Sequence, residues 1–217
     1  AGDWSSDVCS SDLIYPESVI KQLAESKQKM YVMVLSHTGF IKKMELDDFV
    51  SLTASGIFYT KLDQGDFVKT IIIGGDALDV ITFSDKKALR FSAKEIPLVR
   101  RSARGVRSIG GKTVEYVDGM TLVAGKDITD VVVVTKNGYL NRFNINALPQ
   151  SQRAKAGSSV VKLSKTDKIN SIHIVNQNDS IRLVTEHGTT DVKVSDVPTG
   201  SSISAGTKCI SGKDTVV

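Results

Sequence analysis

Four apolar, β-branched runs punctuate the chain: YVMVLS (31–36), LDVITFS (78–84), DVVVVTK (130–136) and SIRLVTE (180–186). Val, Ile and Thr suit the pleated surface of a strand. The runs end in polar turns such as HTG (37–39), KNG (136–138) and EHG (186–188), and alternating segments such as FIKKMEL (40–46) and YLNRFNI (139–145) follow. Run, turn, run is hairpin grammar. Asn137-Gly138 predicts a type I′ turn, whose two central residues both need positive φ. Further strands are expected at GIFYTKL (56–62), FVKTIII (67–73) and INSIHIV (169–175), and VEYV (114–117) also reads as strand. Residues 14–30, IYPESVIKQLAESKQKM, differ. Pro16 near a first turn, with Val19, Ile20 and Leu23 at helical spacing, predicts a short helix there, a linker or the remnant of a preceding unit.

The hairpins repeat. Aligned on the turn, Gly39, Lys87, Gly138 and Gly188 are equivalent, at spacings of 48, 51 and 50. Phe49, Pro97, Pro149 and Pro198 follow at offsets of 10, 10, 11 and 10, and a second glycine (Gly56, Gly105, Gly157, Gly206) at 17, 18, 19 and 18. Three landmarks in step through four units mark an internal repeat. Units of roughly fifty residues with about four strands predict an all-β, propeller-like array in which small sheets bury their faces against one another. The expected units are about 31–77, 78–128, 129–179 and 180–217.

Composition adds a basic bias, net +4 from 28 basic and 24 acidic residues. The run DWSSDVCSSDL (3–13) has no apolar periodicity and no signal-peptide pattern. It reads as the translation of a sequencing-library adapter, so residues 1–13 are set aside and the native N-terminus is expected to be missing. Without them the chain keeps 28 basic and 21 acidic residues, a net +7, and loses Trp4 and Cys9. Cys209 is left with no disulfide partner and no metal-ligand spacing. A cytoplasmic protein is expected.

The densest run of charge is PLVRRSARGVRSIGGKT (97–113), where Arg100, Arg101, Arg104 and Arg107 fall within eight residues. A phosphate loop requires glycine, four residues, then Gly-Lys-Ser/Thr opening a helix. Gly105 and Gly110 have that spacing, but Gly111 follows in place of lysine and the next residues read as strand. His37, His173 and His187 are dispersed, and His37 and His187 are read as polar residues of equivalent turns. Asp47-Asp48 reads as solvated, and no serine has a base and orienter beside it. No catalytic site and no metal site is expected.

The repeat gives the arginines a place. They lie between the landmark proline and the residues just past the second glycine of unit two. The same segment is SQRAKAGSSVVK (151–162) in unit three, with Arg153, Lys155 and Lys162, while units one and four carry only Lys61 and Lys208. Equivalent loops fall on one edge of an array, so these cations are expected to line a rim that meets the phosphates of double-stranded DNA. The expected DNA-binding set is Arg100, Arg101, Arg104, Arg107, Lys112, Arg153, Lys155 and Lys162, with Lys42, Lys43, Lys87, Arg90 and Arg142 from the hairpins. Aromatic residues make up 6% of the chain, and no stacking motif is present, which disfavours single-strand binding. The competing reading is a propeller-like scaffold for proteins, with merely solvated basic loops.

The segments GFIKKMELDDF…SGIFYTKLDQGD, KALRFSAKEIPLVRRSARGVRSI and VVVVTKNGYLNRF…SQRAKAG resemble consecutive blades of the C-terminal domain of bacterial type IIA topoisomerase A subunits, those of gyrase and of DNA topoisomerase IV. The likeness runs from about Tyr31 to the end and weakens after Lys193. It implies a β-pinwheel, a disc whose blades exchange strands and whose basic edge binds and bends duplex DNA for strand passage. It implies that the active-site tyrosine lies upstream, and that ATP and magnesium are used by missing parts of the enzyme, the ATPase being the partner B subunit. It also implies association with the nucleoid. The QRRGGKG-like box of gyrase has no match in SLTASGI or SQRAKAG, and EIPLVRRSARGVRSI resembles topoisomerase IV more closely.

Overall fold

The computed structural model describes residues 29–49, 60–111, 114–123, 129–212 and 214–217. Four antiparallel hairpins form where the apolar runs predict them: β1 (Tyr31–Ser36) with β2 (Phe40–Glu45), and β4 (Asp79–Phe83) with β5 (Ala88–Ser92). Likewise β8 (Asp130–Thr135) pairs with β9 (Tyr139–Asn144), and β11 (Ser180–Thr185) with β12 (Gly188–Lys193). In the first three, a later strand of the same unit pairs with the hairpin's first strand: β3 (Val68–Gly74), β7 (Gly119–Val123) and β10 (Ile169–Val175).

The edge beyond the hairpin's second strand is closed by the next unit. β6 (Val106–Arg107) pairs with β2, β13 (Thr207–Lys208) pairs with β9, and a single bridge from Ser158 to Ala88 does the same on β5. The sheet orders are therefore β3-β1-β2-β6, β7-β4-β5, β10-β8-β9-β13 and β11-β12. The repeat landmarks make this exchange possible. Gly105, Gly157 and Gly206 have φ of 96°, 69° and 75°. A Cβ on them would lie 2.5, 2.8 and 2.4 Å from the carbonyl oxygens of Ile41, Ala88 and Leu140 in the preceding hairpin. Only glycine permits both that backbone and that approach.

The core consists of layers between successive sheets. Met33, Leu35 and Ile41 meet Val80, Leu89 and Phe91; Ile81 and Phe83 meet Val131, Val133 and Phe143; Val132, Val134 and Leu140 meet Ile181 and Leu183. A strand with a sheet on either side is buried on both faces, and β1 and the middle of β2 are buried throughout. Alternating letters in FIKKMEL therefore do not mean alternating exposure. The hairpin of unit four is packed on one face only, and β11 alternates exposed and buried.

Several expectations change. Gly138 (φ 75°) donates its amide to the Thr135 carbonyl at 2.9 Å. Ala154 is the only described non-glycine residue with positive φ, so Asn137 is not left-handed. The turn is the three-residue form closed by a left-handed glycine, not type I′. Val114–Val117 is not a strand. Val117 is instead buried, its amide donating to the His37 carbonyl at 2.8 Å. The helix expected in 14–30 and the strand expected at 56–62 fall almost wholly outside the described residues, as do residues 1–13.

Candidate nucleic-acid interface

Each rim segment is stitched to the hairpin before it. Lys43 donates its amide to the Pro97 carbonyl at 3.1 Å, and its carbonyl accepts from the Val99 amide at 3.0 Å. Ser151 donates to the Arg90 carbonyl and Gly200 to the Arg142 carbonyl, both at 2.8 Å. Lys43, Arg90 and Arg142 bridge, in parallel, to the residues just after the landmark prolines: Leu98, Gln150 and Thr199. The loops beyond those prolines thus stand in equivalent positions along successive sheets.

Those three cations do not belong to the rim, which corrects the expectation. Arg142 is buried; its Nε donates to Asp130 at 2.8 Å, and Nη1 donates to the Val194 and Val197 carbonyls at 2.9 and 3.3 Å. Arg90, half-buried, repeats the device one unit earlier with Asp79 at 2.8 Å and the carbonyls of Ile145 and Leu148. Lys43, also buried, pairs with Asp76 and donates to the Ala93 carbonyl at 3.1 Å. Each cation ties its own sheet to the short 3-10 turn of the next unit: Ala93–Glu95, Ile145–Ala147 or Val194–Asp196. A buried charge with its donors spent on carboxylate and carbonyl oxygens cannot also meet phosphate.

Lys42 is the fourth inward cation. It is 1% exposed, and its Nζ donates to the carbonyls of Arg101 and Ala103 at 2.7 and 2.8 Å. Burial lowers its pKa to about 8. Its counterpart in unit three is the buried Asn141, which donates to the carbonyls of Val160 and Ser201 at 3.0 and 3.2 Å. Both hold the following loop in shape, and Lys42 does so for the arginine loop itself. The inward role was readable only as a matter of register: Lys43, Arg90 and Arg142 each stand three residues before a 3-10 turn.

The remaining cations face outward. Arg100 and Arg101 are exposed, and no carboxylate among the described residues pairs with them. Arg104 pairs with Asp63 and lies 3.7 Å from the centroid of the Phe40 ring; Arg107 lies over the same ring at 5.0 Å and donates to the Thr38 carbonyl. Arg153 is half-buried and bridges units, its amide donating to a Glu95 carboxylate oxygen at 2.8 Å and its Nη1 to the Arg107 carbonyl. Lys155 and Lys162 are exposed, Lys87 is half-buried, and Lys112 lies outside the described residues. Arg100, Arg101, Arg104 and Arg107 are therefore gathered on one loop, and Arg153 connects the next loop to it.

His37 departs from a solvated turn residue. Its ring is stacked on Phe67 and Tyr116, with centroids 4.5 Å away on each side. His173 is buried, which lowers its pKa, and lies 2.8 Å from the Ser171 hydroxyl. Among the described residues, no group of three or more His, Cys, Asp or Glu could hold a metal ion, and no helix is long and apolar enough to cross a membrane.

A family model described as the DNA gyrase C-terminal domain, beta-propeller, matches residues 31–73, 79–118 and 129–176, more than half of the chain. The chain belongs to this family. It is the C-terminal β-pinwheel domain of a type IIA topoisomerase A subunit, and the exchanged strands β6 and β13 are the pinwheel's linkage. It is 27% identical over 175 residues to the DNA gyrase A subunit of Buchnera aphidicola, and 29% identical over 170 residues to that of Borrelia hermsii. These matches cover 79% and 77% of this chain but 20% and 21% of those proteins. Two solved structures share its fold with TM-scores of 0.77. The C-terminal domain of DNA topoisomerase IV is 23% identical, covering 85% of this chain and 58% of that one. The DNA gyrase A C-terminal domain is 22% identical, covering 88% and 64%.

Proposed function

We propose that this pinwheel binds and bends duplex DNA along its rim, presenting a segment for the ATP-dependent strand passage of a type IIA topoisomerase. Catalysis, ATP, magnesium and the B-subunit partner belong to parts of the enzyme outside this domain. The observation that carries the reading is the arginine loop. Arg100 and Arg101 stand exposed without acidic partners among the described residues, on a backbone held from beneath by buried Lys42. Guanidinium groups fixed on a rigid frame replace counterions along a phosphate backbone without reading base sequence. A cationic edge that curves with the disc favours bent over straight DNA.

Salt-dependent affinity for a short duplex tests this. Every phosphate that is no longer neutralised should reduce the slope of log K against log salt by about 0.9. Arg100→Ala with Arg101→Ala should therefore remove about 1.8 from the slope while leaving the fold intact. An unchanged slope, or no duplex binding at low salt, would overturn the reading and leave the protein-interaction scaffold. Within the family, the names of the sequence relatives favour gyrase. The likeness of EIPLVRRSARGVRSI and the thin charge of units one and four favour topoisomerase IV, which would bend DNA without tight wrapping. Closing nicked circles by ligase with the domain bound separates the two: a linking-number shift of fixed sign marks chiral wrapping, and no shift marks bending alone.

A further inference from the structure

The turn of unit one carries a feature that the fold does not require. His37 is sandwiched between Phe67 and Tyr116, with interplanar angles of 19° and 4°. At 4.5 Å both flanking rings cannot share one face of the imidazole, so the three form a single column. Its two ends are 45% and 46% exposed. The His37 Nδ1 is buried without a hydrogen-bond partner, so the ring is placed by stacking and not by a polar contact.

Unit three shows the same frame without the rings. There Lys136 donates its amide to the Lys168 carbonyl, and its carbonyl accepts from the Val216 amide, both at 2.8 Å, as His37 does with Phe67 and Val117. The Thr38 amide donates to Asp66 and the Asn137 amide to Asp167, at 2.9 and 3.0 Å. Lys136, Lys168 and Thr215 thus occupy the positions of His37, Phe67 and Tyr116. Because the same backbone arrangement is built with two lysines and a threonine, the aromatic column is not a packing necessity. Leaving two large rings half in water has a hydrophobic cost that a ligand would offset.

The neighbouring groups indicate the ligand. Arg107 donates to the carbonyl of Thr38, the residue after His37, and both Arg107 and Arg104 lie over Phe40 at the start of β2. An exposed aromatic face beside two guanidinium groups offers a nucleotide both of its contacts, stacking for the base and charge for the phosphate. A base paired within a straight duplex has no free face. A base at a bulge or an unstacked step has one.

We infer that the Phe67–His37–Tyr116 column takes an unpaired nucleobase from DNA held on the adjoining rim, a reading that rests on the DNA-binding function proposed above. Composition by itself disfavours stacking, but the fold gathers rings that stand 30 and 49 positions apart in sequence. The test compares the full chain's affinity for a perfectly paired duplex, the same duplex with one bulged 2-aminopurine, and a short single strand. The bulged duplex should bind about five- to a hundred-fold more tightly than the paired one, with quenched probe fluorescence. Phe67→Ser with Tyr116→Thr, residue types of the kind unit three accepts at these places, should abolish the preference and the quenching while keeping paired-duplex affinity. Circular dichroism confirms that this variant folds. Equal affinity for paired and bulged duplexes, or a variant that weakens both alike, overturns the inference. So does a variant that changes only sedimentation, since the patch is then a contact between copies. If the paired duplex does not bind but the bulge or single strand does, through the column, this inference stands and the rim reading falls. If nothing binds, both fall.

Discussion

Arg142→Ala tests what holds successive blades together. The Arg142 side chain is 9% exposed and that of its partner Asp130 is 16% exposed. The guanidinium satisfies the carboxylate and the carbonyls of Val194 and Val197 at the next unit's 3-10 turn. Truncation strands a buried carboxylate, at about 3–5 kcal/mol by the usual cost of breaking such pairs. The orphaned carbonyls account for about 1–3 kcal/mol within that total. With a urea slope of about 2–3 kcal/mol per molar for a chain of this size, the unfolding midpoint should fall by about 1–2 M. Far-UV circular dichroism is the suitable probe, since the sole tryptophan, Trp4, lies outside the described residues. Replacing the whole pair, Arg142→Met with Asp130→Leu, should recover most of the loss, because apolar substitutes carry no desolvation penalty. Arg90→Ala should cost less: its side chain is 19% exposed and its two carbonyl contacts are 3.4 Å long. Arg182→Ala, which breaks an exposed pair with Asp191 on unit four, should leave the midpoint nearly unchanged. A shift below about 0.3 M for Arg142→Ala, where a stranded buried carboxylate implies about 1–2 M, would refute the lock. A double variant no better than the single one would do the same.

Gly206→Ala should destabilise by at least about 2 kcal/mol more than Gly212→Ala. Both have positive φ, but a Cβ on Gly206 would lie 2.4 Å from the Leu140 carbonyl oxygen, whereas Gly212 has open space; equal urea midpoints would contradict the strand-exchange argument. Lys42 gives a pH dependence. With its folded pKa lowered by burial to about 8, the folded chain has lost a proton between about pH 8 and the ordinary lysine value of 10.5 while the unfolded chain keeps it. Stability from this group therefore rises with pH across that window. Lys42→Met should flatten the rise in urea midpoint between about pH 7.5 and 10, and an identical rise in both proteins would count against it. His187 behaves oppositely: its hydrogen bond to Asp214 raises its pKa, so the tie is complete below about pH 6.5 and is lost as pH rises through the folded value. Hydrogen exchange at the amides of Val216 and Val217 should accelerate accordingly, and an unaltered profile in His187→Gln would dismiss the tie.

Local signals sufficed for much of the fold. The apolar runs became β1, β4, β8 and β11, because β-branched residues and polar turns act within a few positions of one another. The spacing of prolines and second glycines carried the repeat, since each position meets the same backbone geometry from unit to unit. The arginine loop was legible for the same reason. Tertiary structure alone decided which cations are free. Lys42 and Lys43 are adjacent letters in an alternating strand, yet both are buried, because sheets pack on both faces of β2 and the next unit supplies the oxygens that accept from their ammonium groups. Arg90 and Arg142 are drawn inward by 3-10 turns 55 and 52 residues further on. The aromatic column was equally invisible, since each of its rings is an isolated letter until the exchanged segments bring His37, Phe67 and Tyr116 together. Sequence specifies what a residue can do to its neighbours along the chain, whereas exposure, pairing and stacking depend on neighbours that only the packed array supplies.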